Sequence, residues 1–192
     1  MILPVTFPDN GGVKFTGYQG LASHGGVIGI LIALYFYYRK TKHSMIGTLD
    51  LIAIVAGVLF GLIRLGNFMN SEIIGIPTTG SWGVIFERVD NVPRHPAQLY
   101  ESISYFIIFA MMMILYKRIC HRVRSGFFFG LGTILFFTAR FFIEFVKEEQ
   151  VGFEDGMALN IGQLLSVPFM TVGIGFLIYG LRNPDSSVHN IV

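Results

Sequence analysis

Five long apolar runs decide what this chain can fold into. Residues 21–38, 49–68, 97–116, 126–145 and 161–181 are each close to the ~20 residues that cross a hydrocarbon core. Lipid offers an exposed backbone no hydrogen bonds, so spans of this kind must close their own bonds and are helices. The expected fold is all-α, a polytopic transmembrane helix bundle of five spans with short outward-facing loops. Charged residues make up 14% of the chain, against roughly 25% in soluble domains, and they gather between the runs.

The loops set an orientation. Arg39, Lys40, Lys42 and His43 follow the first run; Lys117, Arg118, His121, Arg122 and Arg124 follow the third; Arg182 follows the fifth. By the positive-inside rule these ends are cytoplasmic. Residues 72–94 are mixed in charge, and residues 147–156 carry Glu148, Glu149, Glu154 and Asp155; both segments face outward. The organisation expected is an outward loop over 1–20, a membrane domain over 21–182 and a cytoplasmic tail over 183–192.

That orientation turns positions into depths. Arg64 lies about 15 residues into the second span and Arg140 about 14 into the fourth, so both stand ~21–23 Å from the inner face. Asn67 and Asn70 follow Arg64 at helical spacing, with Glu72 and Gly75 just beyond. His24 opens the first span, and Gln98, Tyr100 and Glu101 open the third, all toward the same outer side. An intramembrane arginine costs ~2.5–3.5 kcal/mol on insertion scales, so two at one level mark a site. Each residue also has a structural alternative. Arg64 can snorkel to the headgroups. Arg140 can pair with Glu144 one turn on. His24, before Gly25 and Gly26, suits a close helix crossing, Gln98 and Tyr100 suit interfacial anchors, Gln163 suits an interhelical hydrogen bond, and Asp50 suits a helix cap.

The residue types narrow the chemistry. Arginine grips phosphate with paired N–H groups and keeps its charge, and histidine takes a proton near neutral pH. The pattern suits a monoanionic phosphodiester in the outer leaflet. A net charge of +2 and the lack of a basic, aromatic-laced face exclude nucleic acid. The single cysteine, Cys120, cannot form an internal disulfide, and no Cys/His spacing suits a metal. Neither a metal nor a cofactor is expected. A transporter would carry its polar residues through the midplane; here they keep to one side.

Four ordered motifs carry a resemblance: His24-Gly25-Gly26; Arg64-x-Gly-Asn67-Phe-x-Asn70-x-Glu72-x-x-Gly75; His95-Pro96-Ala-Gln98-Leu-Tyr100-Glu101; and Gly162-Gln163-Leu-Leu-Ser-x-Pro168. Together they resemble the prolipoprotein diacylglyceryl transferase family. The resemblance implies a bacterial inner-membrane enzyme with its site toward the outer leaflet. Such an enzyme moves the diacylglyceryl group of phosphatidylglycerol onto the lipobox cysteine thiol of a prolipoprotein signal peptide, and glycerol phosphate leaves. By the same resemblance Arg64 binds the lipid phosphate and stabilises charge on the leaving group, Arg140 is the second essential arginine, and His24 is the candidate base for the substrate thiol. Asn67, Asn70, Glu72 and Gly75 shape the headgroup pocket, with Gln98 and Tyr100 in support. Membrane lipid and the signal peptide are the implied partners.

Three departures accompany it. Ile63 stands where the family has a glycine, and Phe136 where it has a tyrosine. The family also has seven spans, two of them ahead of the His-Gly-Gly segment. The expectation is therefore a member shortened at its N-terminus, with an inactive relative that only binds anionic phospholipid as the alternative.

Overall fold

The computed structural model describes residues 5–6, 14–15, 23–148 and 159–182. The chain divides into two compact units, Met1–Met45 and Ile46–Val192. The expected tail over 183–192 and most of the acidic segment after Glu148 lie outside the described residues.

The first unit holds a two-stranded antiparallel pair, β1 (Val5–Thr6) with β2 (Lys14–Phe15), inside the stretch expected to be loop. Its helix α1 runs Ser23–Thr41 and ends on Arg39 and Lys40. With His24 at one end and the basic pair at the other, its uninterrupted apolar stretch is only residues 25–38, ~21 Å at 1.5 Å per residue. The helix forms as expected, but it is not one of the four described helices long and apolar enough to span.

Those four make up the second unit: α2 (Met45–Asn70), α3 (Ala97–Ile119), α4 (Phe127–Ile143) and α5 (Ile161–Arg182). Single 3₁₀ turns extend α3 through Cys120–Arg122 and α4 through Glu144–Val146. A thin buried layer of Ile54, Tyr105, Met112, Phe128 and Phe136 joins α2, α3 and α4. Leu59, Ile63, Ile107, Phe142 and Leu164 are exposed, as lipid-facing side chains are. Small residues let the backbones approach. A Cβ on Gly130 of α4 would meet the Gly173 carbonyl of α5 at 2.7 Å, and one on Gly57 of α2 would meet the Tyr105 carbonyl of α3 at 2.8 Å.

Asp50 caps a helix, though not its own. Its two oxygens accept the N–H groups of Gly126 and Phe129, each at 2.7 Å, so α2 closes the N-terminus of α4. At the opposite end of the helices a small outer layer forms. The pair β3 (Val84–Ile85) and β4 (Pro93–Arg94) is antiparallel. Residues 74–76 run between 94–95 and 146–148: Gly75 N–H donates to His95 O at 3.1 Å, Ile76 N–H to Val146 O at 3.0 Å, and Glu148 N–H to Ile74 O at 3.1 Å. This layer fixes the segment after Arg64 against the end of α4, where Arg140 sits.

Candidate functional site

The arginine that had no counterion in its own segment finds one on the next span. Arg64 Nε lies 2.8 Å from Glu101 Oε2 on α3. The N–H is not aimed at that oxygen, which accepts no aligned hydrogen bond, so this is a contact of charges. Arg64 Nη1 donates to Asn67 Oδ1 at 3.3 Å, and Asn67 Nδ2 donates to Glu72 Oε2 at 2.8 Å. Snorkelling is thereby excluded, because the guanidinium turns to a fully buried carboxylate.

Glu101 is shared. Lys147 Nζ donates to its Oε1 at 2.9 Å and to Glu144 Oε2 at 3.1 Å. Lys147 and Glu144 are both buried, and the Lys147 backbone bridges Gly75. The Tyr105 hydroxyl donates to Glu101 Oε1 at 3.4 Å. Its ring packs on Phe136 at 5.5 Å, so the position where the family has a tyrosine supports another tyrosine's ring.

The alternative pairing of Arg140 with Glu144 does not form. Glu144 begins the 3₁₀ turn after α4, which carries it toward Lys147 three residues on rather than back along the helix. Arg140 makes no ion pair among the described residues, and its Nε is buried without a hydrogen-bond partner. Arg64 and Lys147 thus share two buried carboxylates, Glu101 and Glu144, and Glu72 is joined to Arg64 through Asn67. A buried N–H left without a partner costs ~1–3 kcal/mol.

The other expected residues divide. Gln98 is fully buried; its Nε2 donates to Glu72 O at 2.6 Å, and its Oε1 is unpartnered. Gly75 is irreplaceable sterically: a Cβ would come 2.6 Å from Val146 O and closer still to His95 O, both backbone atoms. Ile73 beside it has φ 56°, a left-handed conformation that a β-branched residue rarely holds; the bonds to Glu72 O and Ile74 O on either side keep it there. Asn70 is exposed and makes no side-chain hydrogen bond among the described residues. Tyr100 lies apart from the charges and faces His95, hydroxyl to Nδ1 at 3.3 Å. His24 is in the first turn of α1, in the other unit, and its side chain lies outside the described residues.

From α5, Gln163 donates to Phe141 O at 3.3 Å, the interhelical bond expected of it. Gly162 leaves room for the Glu144 carboxyl, which a Cβ would meet at 2.5 Å. In the outer layer Arg94 is held by Asp90 and Glu148, at 2.6 and 2.9 Å. The Arg94 guanidinium holds the Asp90 carboxyl below its ordinary range, and the bond to Asp90, followed by Glu148, raises Arg94.

Sequence reasoning missed Lys147, which it read as part of an acidic loop, and gave Glu101 and Glu144 no part in the site. A signal for Glu101 exists: it and Arg64 are isolated opposite charges on consecutive apolar runs. Lys147 had none, because its burial depends on backbone pairing with Gly75, 72 residues earlier.

Comparison with known proteins agrees with the motif pattern. The family model for prolipoprotein diacylglyceryl transferase matches residues 11–179. The chain is 56% identical over 179 residues to the phosphatidylglycerol–prolipoprotein diacylglyceryl transferase of Bacteroides fragilis ATCC 25285, covering 93% of this chain and 65% of the relative. It is 49% identical over 164 residues to the protein of that name from Tolumonas auensis, covering 85% and 63%, and 51% identical over 158 residues to that from Chloroherpeton thalassium, covering 81% and 58%. The chain therefore spans less than two thirds of the length of these relatives. With bacterial relatives and four helices of spanning length, it is a bacterial membrane protein. The chain belongs to the prolipoprotein diacylglyceryl transferase family.

Proposed function

We propose that this chain carries the site that transfers the diacylglyceryl group of phosphatidylglycerol to the lipobox cysteine of a prolipoprotein, releasing glycerol phosphate. The observation that carries this reading is the buried Nε–H of Arg140, which has no hydrogen-bond partner among the described residues. Arg64 already shares Glu101 with Lys147, whereas Arg140 makes no ion pair among the described residues. A phosphodiester monoanion supplies one negative charge and acceptor oxygens for both arginines.

In this reading Arg64 and Arg140 hold the phosphate as the ester C–O bond breaks, and they meet the charge that grows on the departing glycerol phosphate. The substrate thiol supplies the nucleophile: its sulfur takes the glyceryl carbon, and its proton goes to His24. That role for His24 rests on its Gly-Gly motif alone. Asn67 orients Arg64, and Glu72 orients Asn67. Asn70 and Gly75 complete the headgroup pocket, Gln98 sets the turn through Glu72 O, and Tyr100 supports from the outer layer. The site faces the outer leaflet of the inner membrane, where basic loops place the other helix ends in the cytoplasm. Phosphatidylglycerol, the signal peptide and surrounding lipid are the partners; nucleic acid is not one.

The test is a gel-shift assay in membranes with a lipobox peptide and phosphatidylglycerol. Thiol-linked product is expected with the unaltered chain, falling about 10²–10³-fold in Arg64→Ala, the loss typical of one charge-stabilising donor. Full transfer by Arg64→Ala, or lipid binding by the unaltered chain without product, contradicts the reading.

A further inference from the structure

The segment between α2 and α3 has its polarity reversed for a hairpin in water. Val84 stands opposite Arg94 and Ile85 opposite Pro93. Strand alternation sends Val84 and Arg94 to one face and Ile85 and Pro93 to the other. Antiparallel pairs with one solvated face keep apolar residues inside and polar ones out. Here the inward face carries the buried Arg94 with its acidic partners. The exposed apolar residues of the segment are Trp82, 61% exposed, with its ring 6.5 Å from that of His95; Ile85 and Val89, both 50%; and Val92, 43%.

The hairpin is also tethered. It leaves from Asn70 at the end of α2 and returns at Ala97, the start of α3. Phe86 is its one inward aromatic, 4% exposed, and its ring meets Phe68 in the last turn of α2 at 5.7 Å. The outward face therefore stays at the level where these two spans leave the apolar phase. Leu65 and Met69, exposed on the last turns of α2, carry the same apolar surface to its foot.

We propose that the outward face of residues 82–93 is a membrane-docking surface, seated in the headgroup–acyl boundary of the leaflet beside the ends of α2 and α3. Trp82 suits that depth, because an indole combines an apolar body with an N–H for the headgroups. Exposed Glu87 and Arg88 sit among the apolar residues and reach water past their stems. A lipid surface fits better than an apolar peptide because the exposed residues continue onto a spanning helix. The proposal stands apart from the transferase reading, since this seating does not require catalysis.

Trp82 is the chain's single tryptophan, so its fluorescence reports this face without any substitution. The whole chain would be placed in vesicles of phosphatidylglycerol and phosphatidylcholine, then in the same vesicles made with lipids brominated near the top of the acyl chain. Brominated lipid should reduce emission at least about two-fold, while aqueous iodide should quench little. Efficient iodide quenching with no effect of bromolipid overturns the proposal. So does quenching that arises only when a signal peptide with a brominated apolar segment is added, which assigns the face to the peptide. A Trp82→Phe, Ile85→Trp variant should respond to bromolipid as the unaltered chain does; iodide quenching there instead refutes a common face.

Discussion

The two ends of the Ile46–Val192 unit treat buried charge in opposite ways. Where α4 begins, Asp50 accepts two backbone N–H groups at 2.7 Å and nothing is left over. Where α4 finishes, Glu101 and Glu144 are divided between Arg64 and Lys147, and Arg140 keeps a buried N–H with no acceptor. One end is a closed account of donors and acceptors, which is what a structural contact needs. The other leaves a buried N–H without a partner among the described residues. The difference teaches that burial of charge by itself does not distinguish scaffold from site; under the proposed function, the unanswered group does.

The comparison is most sharply broken at Lys147. Lys147→Met leaves Glu101 and Glu144 buried without their shared cation. It should lower stability by ~3–5 kcal/mol, as removal of one partner of a buried pair does. Denaturation in detergent measures this, and Lys147→Arg should recover most of the loss. An unchanged midpoint in Lys147→Met would mean that the carboxylates are held by something else.

Asp50→Ala tests the closed end. It orphans the Gly126 and Phe129 N–H groups, and a loss of ~1–3 kcal/mol is expected. Preference for phosphatidylglycerol over neutral lipid should not change, because Asp50 serves only the start of α4. A shift in lipid preference would erase the distinction between the two ends.

The smallest effect belongs to the outer layer. Asp90 is half-buried, and the Arg94 guanidinium holds its carboxyl below the ordinary range. A depressed carboxyl contributes above its unfolded value and loses that contribution as pH falls through the folded one. Asp90→Asn should therefore flatten the acid limb of stability with little effect at neutral pH. A large loss at neutral pH would show that the hairpin depends on this tie more than a partly exposed ion pair allows.

Much of the fold was legible in the sequence because lipid leaves a chain few choices. The four spanning helices run close to the expected limits, since apolar length and basic ends specify them directly. The α1 region was harder: His24, Arg39 and Lys40 shorten its apolar stretch, and the helix alone does not establish a span. The site was half legible. Arg64, Asn67, Glu72 and Gln98 come together as their spacing on two segments implies. Arg140 was found but given the wrong alternative partner, because i,i+4 spacing assumes a helix that continues and α4 tightens to 3₁₀ at Glu144. Lys147 was not legible at all. Its place depends on strand-like bonds among 74–76, 94–95 and 146–148, and no periodicity in any one segment announces them.

The most direct test of the central claim measures lipid-selective stabilisation of the whole chain, comparing phosphatidylglycerol with phosphatidylcholine, in the unaltered protein and in Arg140→Gln. The unanswered N–H predicts preferential stabilisation by the anionic lipid, abolished in Arg140→Gln, while stability in the neutral lipid does not fall. A variant that keeps the preference for phosphatidylglycerol, or that is destabilised equally in both lipids, would contradict the assignment of Arg140 as the cation awaiting a phosphodiester.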